Sequence, residues 1–208
     1  ATDGLYILGD LFDYWAGDDD LEDAFNAAVV VALARCGAQI PVWFMRGNRD
    51  FLIGQEFAHA ARLSLLDDTA QISIAGHPTL IMHGDTLCTD DLEYQRFRDE
   101  VRSPAWAASF LALPLAERKR RIDLLRAESE AKKQMKAAEI MDVNAQAVKS
   151  ALRASPCDRL IHGHTHRPGR HLLTVDGRPC ERLVLGDWYH HGSHLSCNAQ
   201  GCTAFASA

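Results

Sequence analysis

Short apolar runs at 5–8, 42–45, 79–82 and 159–162 are each cut off by a glycine-containing turn, the pattern of buried strands that end in loops. Between the first two, Leu21, Phe25, Ala28, Ala32, Leu33 and Cys36 recur at helical spacing and predict an amphipathic helix over 21–36. Asp19 or Asp20 is placed to cap its start and Gly37 its end. A strand over 40–45 follows, then a short helix over 54–62. Paired strands at 70–75 and 79–82 flank the turn Ala75-Gly76-His77-Pro78. After Ser155-Pro156 the pattern returns to strands at 159–162, 171–175, 182–186 and 193–197, with Asp176-Gly177 as a hairpin turn. Residues 92–152 differ. They are rich in Ala, Leu, Arg, Lys and Glu and poor in β-branched residues, so they read as helical throughout. Lying between two strand runs, they form a helical insertion into an α/β domain.

Part of that insertion, 106–113, is unusually apolar, and Pro114 and the basic run Arg118-Lys119-Arg120-Arg121 follow it. One reading is a cap packed on the core with a solvated charged face. The other is a lid that shelters acyl chains and lies against an anionic membrane surface. With 208 residues and 47% hydrophobic content, the chain suits one globular domain spanning 1–208. The net charge of −6 argues against a general nucleic-acid binder. No apolar stretch is long enough to span a bilayer. The six cysteines form no CxxC and read as reduced thiols of a cytosolic protein, Cys197 and Cys202 included.

The turns that end the strand runs carry the candidate chemistry. They are Gly9-Asp10, Gly47-Asn48-Arg49-Asp50, His83-Gly84-Asp85 and Gly163-His164-Thr165-His166. Ligands of open α/β sheets bind at the carboxyl ends of strands, so Asp10, Asn48, His83, His164 and His166 have a route to one place. A carboxylate, an amide oxygen and imidazoles suit manganese, iron or zinc better than Ca²⁺ or Mg²⁺. Each turn alone is commonplace; their succession, each after a strand, points to a metal site. Arg49 suits a forked contact with a phosphate. Asp50 and Asp85 follow ligands and are placed to orient a histidine or a turn. His162 reads as a packed strand residue. Trp15 stands along the substrate cleft or in the core.

In these motifs the chain resembles the calcineurin-like metallophosphoesterases, whose pattern runs D-x-H, G-D, G-N-H/R-D/E, H-G-D, G-H-x-H. The last four elements are present here. No D-x-H precedes Asp10, and the expectation is that about thirty N-terminal residues, with a first strand and its ligands, are missing and activity is weak without them. Longer runs are similar to one branch, the bacterial UDP-2,3-diacylglucosamine diphosphatases of lipid A synthesis. They include residues 5–12, 47–52, 82–91, 140–144 and 161–168.

The resemblance implies a β-sandwich flanked by helices, with the insertion as a lid. It implies two divalent ions, expected to be Mn²⁺, with Asp10 bridging them. Asn48, His83 and His164 complete one metal site and His166 joins the other. Asp10, Asn48, Arg49, His83 and His164 are then catalytic. The substrate contacts implied are Asn48, Arg49, Asp91, Tyr94, Arg126, Ser129, Lys133, Lys136 and His164, with Trp15 added from its place after the Gly-Asp turn. Metal-activated water splits UDP-2,3-diacylglucosamine at its α-phosphorus. The enzyme is expected to be a monomer, peripheral on the cytoplasmic face of the inner membrane. The alternatives are a phosphoesterase for a soluble nucleotide or phosphoprotein, and a scaffold that has lost catalysis.

Overall fold

The computed structural model describes residues 2–135, 140–188 and 192–206. The chain forms two compact units, one of residues 1–66 with 91–140 and one of residues 67–90 with 141–208. Both are mixed α/β, the class expected.

The first unit is built on a parallel sheet of β1 (Leu5–Ile7), β2 (Val42–Met45) and β3 (Ser64–Leu66), in that order. Helices α1 (Ala24–Gly37) and α2 (Gln55–Ala60) are the crossovers that parallel strands need. The core on this sheet is aromatic: Phe12, Trp15, Phe44 and Phe57 are buried together with Leu33, Ile53 and Ala61. Phe57 meets Phe12 and Trp15 edge to face, the arrangement that ring quadrupoles favour.

Helix α1 starts later than its periodicity suggests. Asp23, not Asp19 or Asp20, is the cap, accepting the amides of Phe25 and Asn26. The earlier aspartates are engaged elsewhere. Asp18 accepts from the Trp15 indole and from the amides of Gly54 and Phe57, Asp19 pairs with Arg118, and Asp20 pairs with Lys119. Gly37 is the last helical residue rather than the cap beyond it, and Phe25, expected on the buried face, is 65% exposed.

Three insertion helices belong to this unit: α3 (Leu92–Val101), α4 (Pro104–Leu111) and α5 (Leu115–Met135). The stretch is not helical throughout. Ser103 caps α4 by accepting the Trp106 amide, and Pro104 at the first turn lacks the N–H that would continue α3. The basic run is largely neutralised. Arg118 is buried and donates to the Ala16 carbonyl as well as to Asp19, Lys119 pairs with Asp20, and Arg120 and Arg121 share Glu117.

The second unit holds a five-stranded sheet ordered β4-β5-β6-β8-β7. Its strands are β4 (Thr69–Ile74), β5 (His77–Met82), β6 (Arg159–His162), β7 (Gly169–Val175) and β8 (Arg178–Val184). Strands β5, β6 and β8 run parallel, and every residue of the central β6 is buried. The hairpins β4–β5 and β7–β8 turn through Ala75-Gly76 and Asp176-Gly177. All four of these residues have positive φ, as a two-residue hairpin of the primed type requires. Helix α6 (Ala145–Arg153), read from sequence as part of the insertion, belongs here and buries Val148 and Leu152. Residues 140–144 before it are not helical, and Asn144 caps it.

A last hairpin pairs β9 (Ser193–Asn198) with β10 (Gly201–Ala206). Cys197 and Cys202 are opposed in its register and joined as a disulfide, which corrects the reading of unlinked thiols. Cys36, Cys88, Cys157 and Cys180 form no disulfide. No helix among the described residues is long and apolar enough to cross a membrane.

Candidate metal centre

In the first unit, Asp10 and Asn48 sit on adjacent turns beyond β1 and β2. The two turns are tied by Asp50, which is fully buried. Its carboxylate accepts the amides of Asp10 at 3.2 Å, Leu11 at 2.8 Å, Phe12 at 3.4 Å and Gly47 at 2.7 Å. Asp50 therefore orients the turn, the second of the two roles its position suggested. Asp10 Oδ1 in turn accepts the Arg49 amide at 2.8 Å. The approach leaves no space for a side chain at position 47: a Cβ there would stand 2.2 Å from Asp10 Oδ1. Asn48 and Arg49 are half-buried.

In the second unit, β5 and β6 are neighbours in parallel register, so the turns that follow them lie side by side. The Gly163 amide donates to the His83 carbonyl at 2.8 Å. The His83 and His164 rings meet edge to face with centroids 5.1 Å apart. Burial, and then the neighbouring His83, push the His164 imidazole down to about 3, so it is neutral at physiological pH. Neutral imidazole is the form that ligates metals. His166 is more exposed, and its Nδ1 lies 3.5 Å from Asp187. Asp85 is buried and accepts the Thr86 amide, which opens a short 3₁₀ turn.

His162 lies under both turns of this unit. It is fully buried, and its Nδ1–H donates to the Gly163 carbonyl at 2.9 Å. Burial pushes it down to about 4. It is a packed strand residue, as its place in the apolar run suggests.

Three of the five candidate ligands hold a left-handed backbone, which among the described non-glycine residues they share with the turn residues Arg62, Ala75 and Asp176. Asp10, His164 and His166 all have positive φ, at 56°, 66° and 54°. Residues other than glycine hold that conformation at a cost, and such sites cluster where function demands a fixed geometry. The donors in both units fit a borderline divalent metal: carboxylate and amide oxygen in one, neutral imidazoles in the other.

The remaining expected residues that are described all belong to the first unit. Trp15 is 2% exposed, so its place is the core and not a cleft; the apolar body fills the aromatic cluster while the indole N–H reaches Asp18 at 2.9 Å. Asp91 caps α3 by accepting the Tyr94 amide at 3.1 Å. Arg126 on α5 lies 3.5 Å from Asp13 and stacks over Tyr14. Ser129 is exposed on the same helix, which also carries Lys133 in its backbone path. Lys136 lies outside the described residues.

Two residues escaped the reading of the sequence. Asp187 beside His166 follows β8 in another strand-Gly-Asp run, Val184-Leu185-Gly186-Asp187, and could have been found by that signal. Arg102 donates to the Gly47 carbonyl at 2.9 Å, and nothing local marks it among the many arginines of the insertion.

The insertion lines an open, mainly apolar cavity of about 620 Å³, with Val101 of α3, Trp106 and Phe110 of α4, Leu113 of the turn after α4 and Leu124 of α5 in its wall.

Residues 2–168 match the family described as calcineurin-like phosphoesterase. A protein of Aromatoleum aromaticum named UDP-2,3-diacylglucosamine hydrolase is 53% identical over 180 residues, 86% of this chain and 73% of that protein. A protein of the same name from Nitrosococcus oceani is 51% identical over 96% of this chain and 80% of its own. One from Cellvibrio japonicus is 48% identical over 85% of this chain and 74% of its own.

Proposed function

The chain belongs to the calcineurin-like phosphoesterases, and from that premise we propose that it hydrolyses UDP-2,3-diacylglucosamine to UMP and 2,3-diacylglucosamine 1-phosphate in lipid A synthesis. The observation that carries the reading is the extent of the similarity. Relatives bearing that activity's name align through the insertion as well as through the metal turns.

In this reading residues 1–208 work as one domain, and Asp10, Asn48, His83, His164 and His166 hold two divalent ions, with Mn²⁺ the proposed metal. Such ions, when bound, acidify a water and neutralise phosphate oxygens. Asn48 and the histidines bring no negative charge, so Asp10 is the one anionic donor among the five and the site stays attractive to a diphosphate. Arg49 holds a phosphate oxygen by a forked contact. Asp91, Tyr94, Arg126, Ser129, Lys133 and Lys136 are proposed to contact the nucleotide and the glucosamine phosphate. No protein nucleophile is needed: water attacks the α-phosphorus and the sugar phosphate leaves.

The acyl chains are assigned to the cavity under α3, α4 and α5. Its volume is in the range of ligand pockets, and its lining is mainly apolar. Phe97, Leu124 and Leu125 at its margin are exposed, which suits a protein that takes its substrate from a membrane, proposed to be the cytoplasmic face of the inner membrane, as a monomer. A phosphoesterase for soluble nucleotides or phosphoproteins has no use for such a cavity. A panel of lipid-linked and soluble diphosphates, assayed for phosphate products with and without Mn²⁺, separates the two. Metal-dependent turnover confined to the lipid-linked substrate is expected; turnover of the soluble members alone would reject the assignment.

A further inference from the structure

We infer that Arg102 is a positioning residue that links occupancy of the apolar cavity by an acyl chain to the geometry of the Gly47-Asn48-Arg49 turn; this rests on the proposed roles of Asn48 and of the cavity.

The link is a continuous set of contacts inside the first unit. Trp106 and Phe110 line the cavity and stack with ring centroids 4.6 Å apart. Trp106 also packs on Phe51 at 6.0 Å. The Arg102 guanidinium also lies over the Phe51 ring, 5.5 Å from its centroid, and donates from Nη2 to the Gly47 carbonyl at 2.9 Å. Val101, the residue before Arg102, is itself part of the cavity wall.

The Gly47 carbonyl belongs to the peptide plane that carries the Asn48 amide. A movement of Trp106 or Val101 that shifts the guanidinium therefore tilts that plane. The rest of the turn cannot absorb the tilt. Asp50 holds the Gly47 amide, Asp10 holds the Arg49 amide, and position 47 has no room for even a Cβ. Arginine suits this post because its planar fork stacks on a ring and donates along its edge at once; an ammonium does these less well together. The arrangement makes Asn48 geometry dependent on a filled cavity, so an acylated substrate is favoured over a soluble one in the chemical step as well as in binding.

The test uses ¹H–¹⁵N correlation spectra of the metal-free protein titrated with decanoate. In the wild type, the Trp106 indole and the amides of Asn48 and Arg49 are expected to move together. In Arg102→Met the Trp106 signal should titrate as before while the Asn48 and Arg49 shifts fall at least about threefold, and Arg102→Lys should lie between. On UDP-2,3-diacylglucosamine, Arg102→Met should lower kcat by about tenfold with KM nearly unchanged, within the range typical of losing an orienting partner. Phe51→Leu, which removes the ring but keeps the arginine, should show the same uncoupling and serves if Arg102→Met folds poorly. If decanoate moves Trp106 but not Asn48 in the wild type, or moves both equally in the variants, the link is wrong while the acyl cavity stands. If decanoate leaves Trp106 unmoved, the acyl assignment fails and the link with it.

Discussion

Asp50 shows how much one side chain does at the residue scale. Four backbone amides from two turns converge on its buried carboxylate, so its removal takes the acceptor from all four donors at once. Asp50→Ala is expected to cost about 3–5 kcal/mol in urea unfolding and to weaken metal binding, because Asp10 and Asn48 lose their common anchor. The histidines make a second prediction. His162 and His164 are held neutral by burial, down to about 4 and about 3. In the unfolded chain each protonates near its ordinary 6.5, so between those values the unfolded state binds more protons and folding stability rises with pH. Stability of the metal-free protein should therefore fall as pH drops from about 6.5 toward 4, and His162→Asn should flatten part of that slope. A flat profile across this window in the wild type would count against buried neutral imidazoles. The metal-type residues were legible because each ends an apolar run. Trp15 was not placed by the same logic, since sequence does not reveal that Asp18 waits in the core to accept its N–H.

At the scale of elements, strands proved readable and boundaries less so. Strands β2, β5 and β6 lie where short apolar runs end in glycine turns, and the Asp176-Gly177 turn follows from its sequence; the turn expected over 75–78 is shorter, Ala75-Gly76 alone, because His77 and Pro78 pair with β4 as the start of β5. Strand β3 was missed because Ser64-Leu65-Leu66 is too short to carry a period, and β10 because glycine and alanine dilute its pattern. Composition predicts an unbroken insertion because it is blind to Ser103-Pro104 and to the Asn144 cap, and α6 beyond that cap belongs to the second unit. The lid makes its own prediction. Ser109 lies on the cavity wall, so Ser109→Trp should fill the space, raising KM for long-chain substrate several-fold and leaving a short-chain analogue nearly unaffected. Equal effects on both chain lengths would place the acyl groups elsewhere.

For the whole molecule, charge and exposed apolar surface decide how it meets a membrane. The basic run that suggested an anionic leaflet is spent on Asp19, Asp20 and Glu117. Beside the exposed Glu100 and the paired Arg121, the cavity margin exposes apolar side chains: Phe97, Leu124 and Leu125. Vesicle binding is accordingly expected to resist salt and to drop sharply in Leu124→Asp/Leu125→Asp, as judged by co-sedimentation. Binding that vanishes at high salt but survives this double change would restore the basic run to the leading role.

The central claim is metal-dependent attack of water on the α-phosphorus of UDP-2,3-diacylglucosamine. The most direct measurement is hydrolysis in H₂¹⁸O with Mn²⁺, with mass analysis of both products. The account predicts ¹⁸O in UMP, none in the diacylglucosamine 1-phosphate, and loss of both products with chelator or in His164→Ala. Label in the lipid phosphate, or UMP formed at full rate without metal, would contradict it.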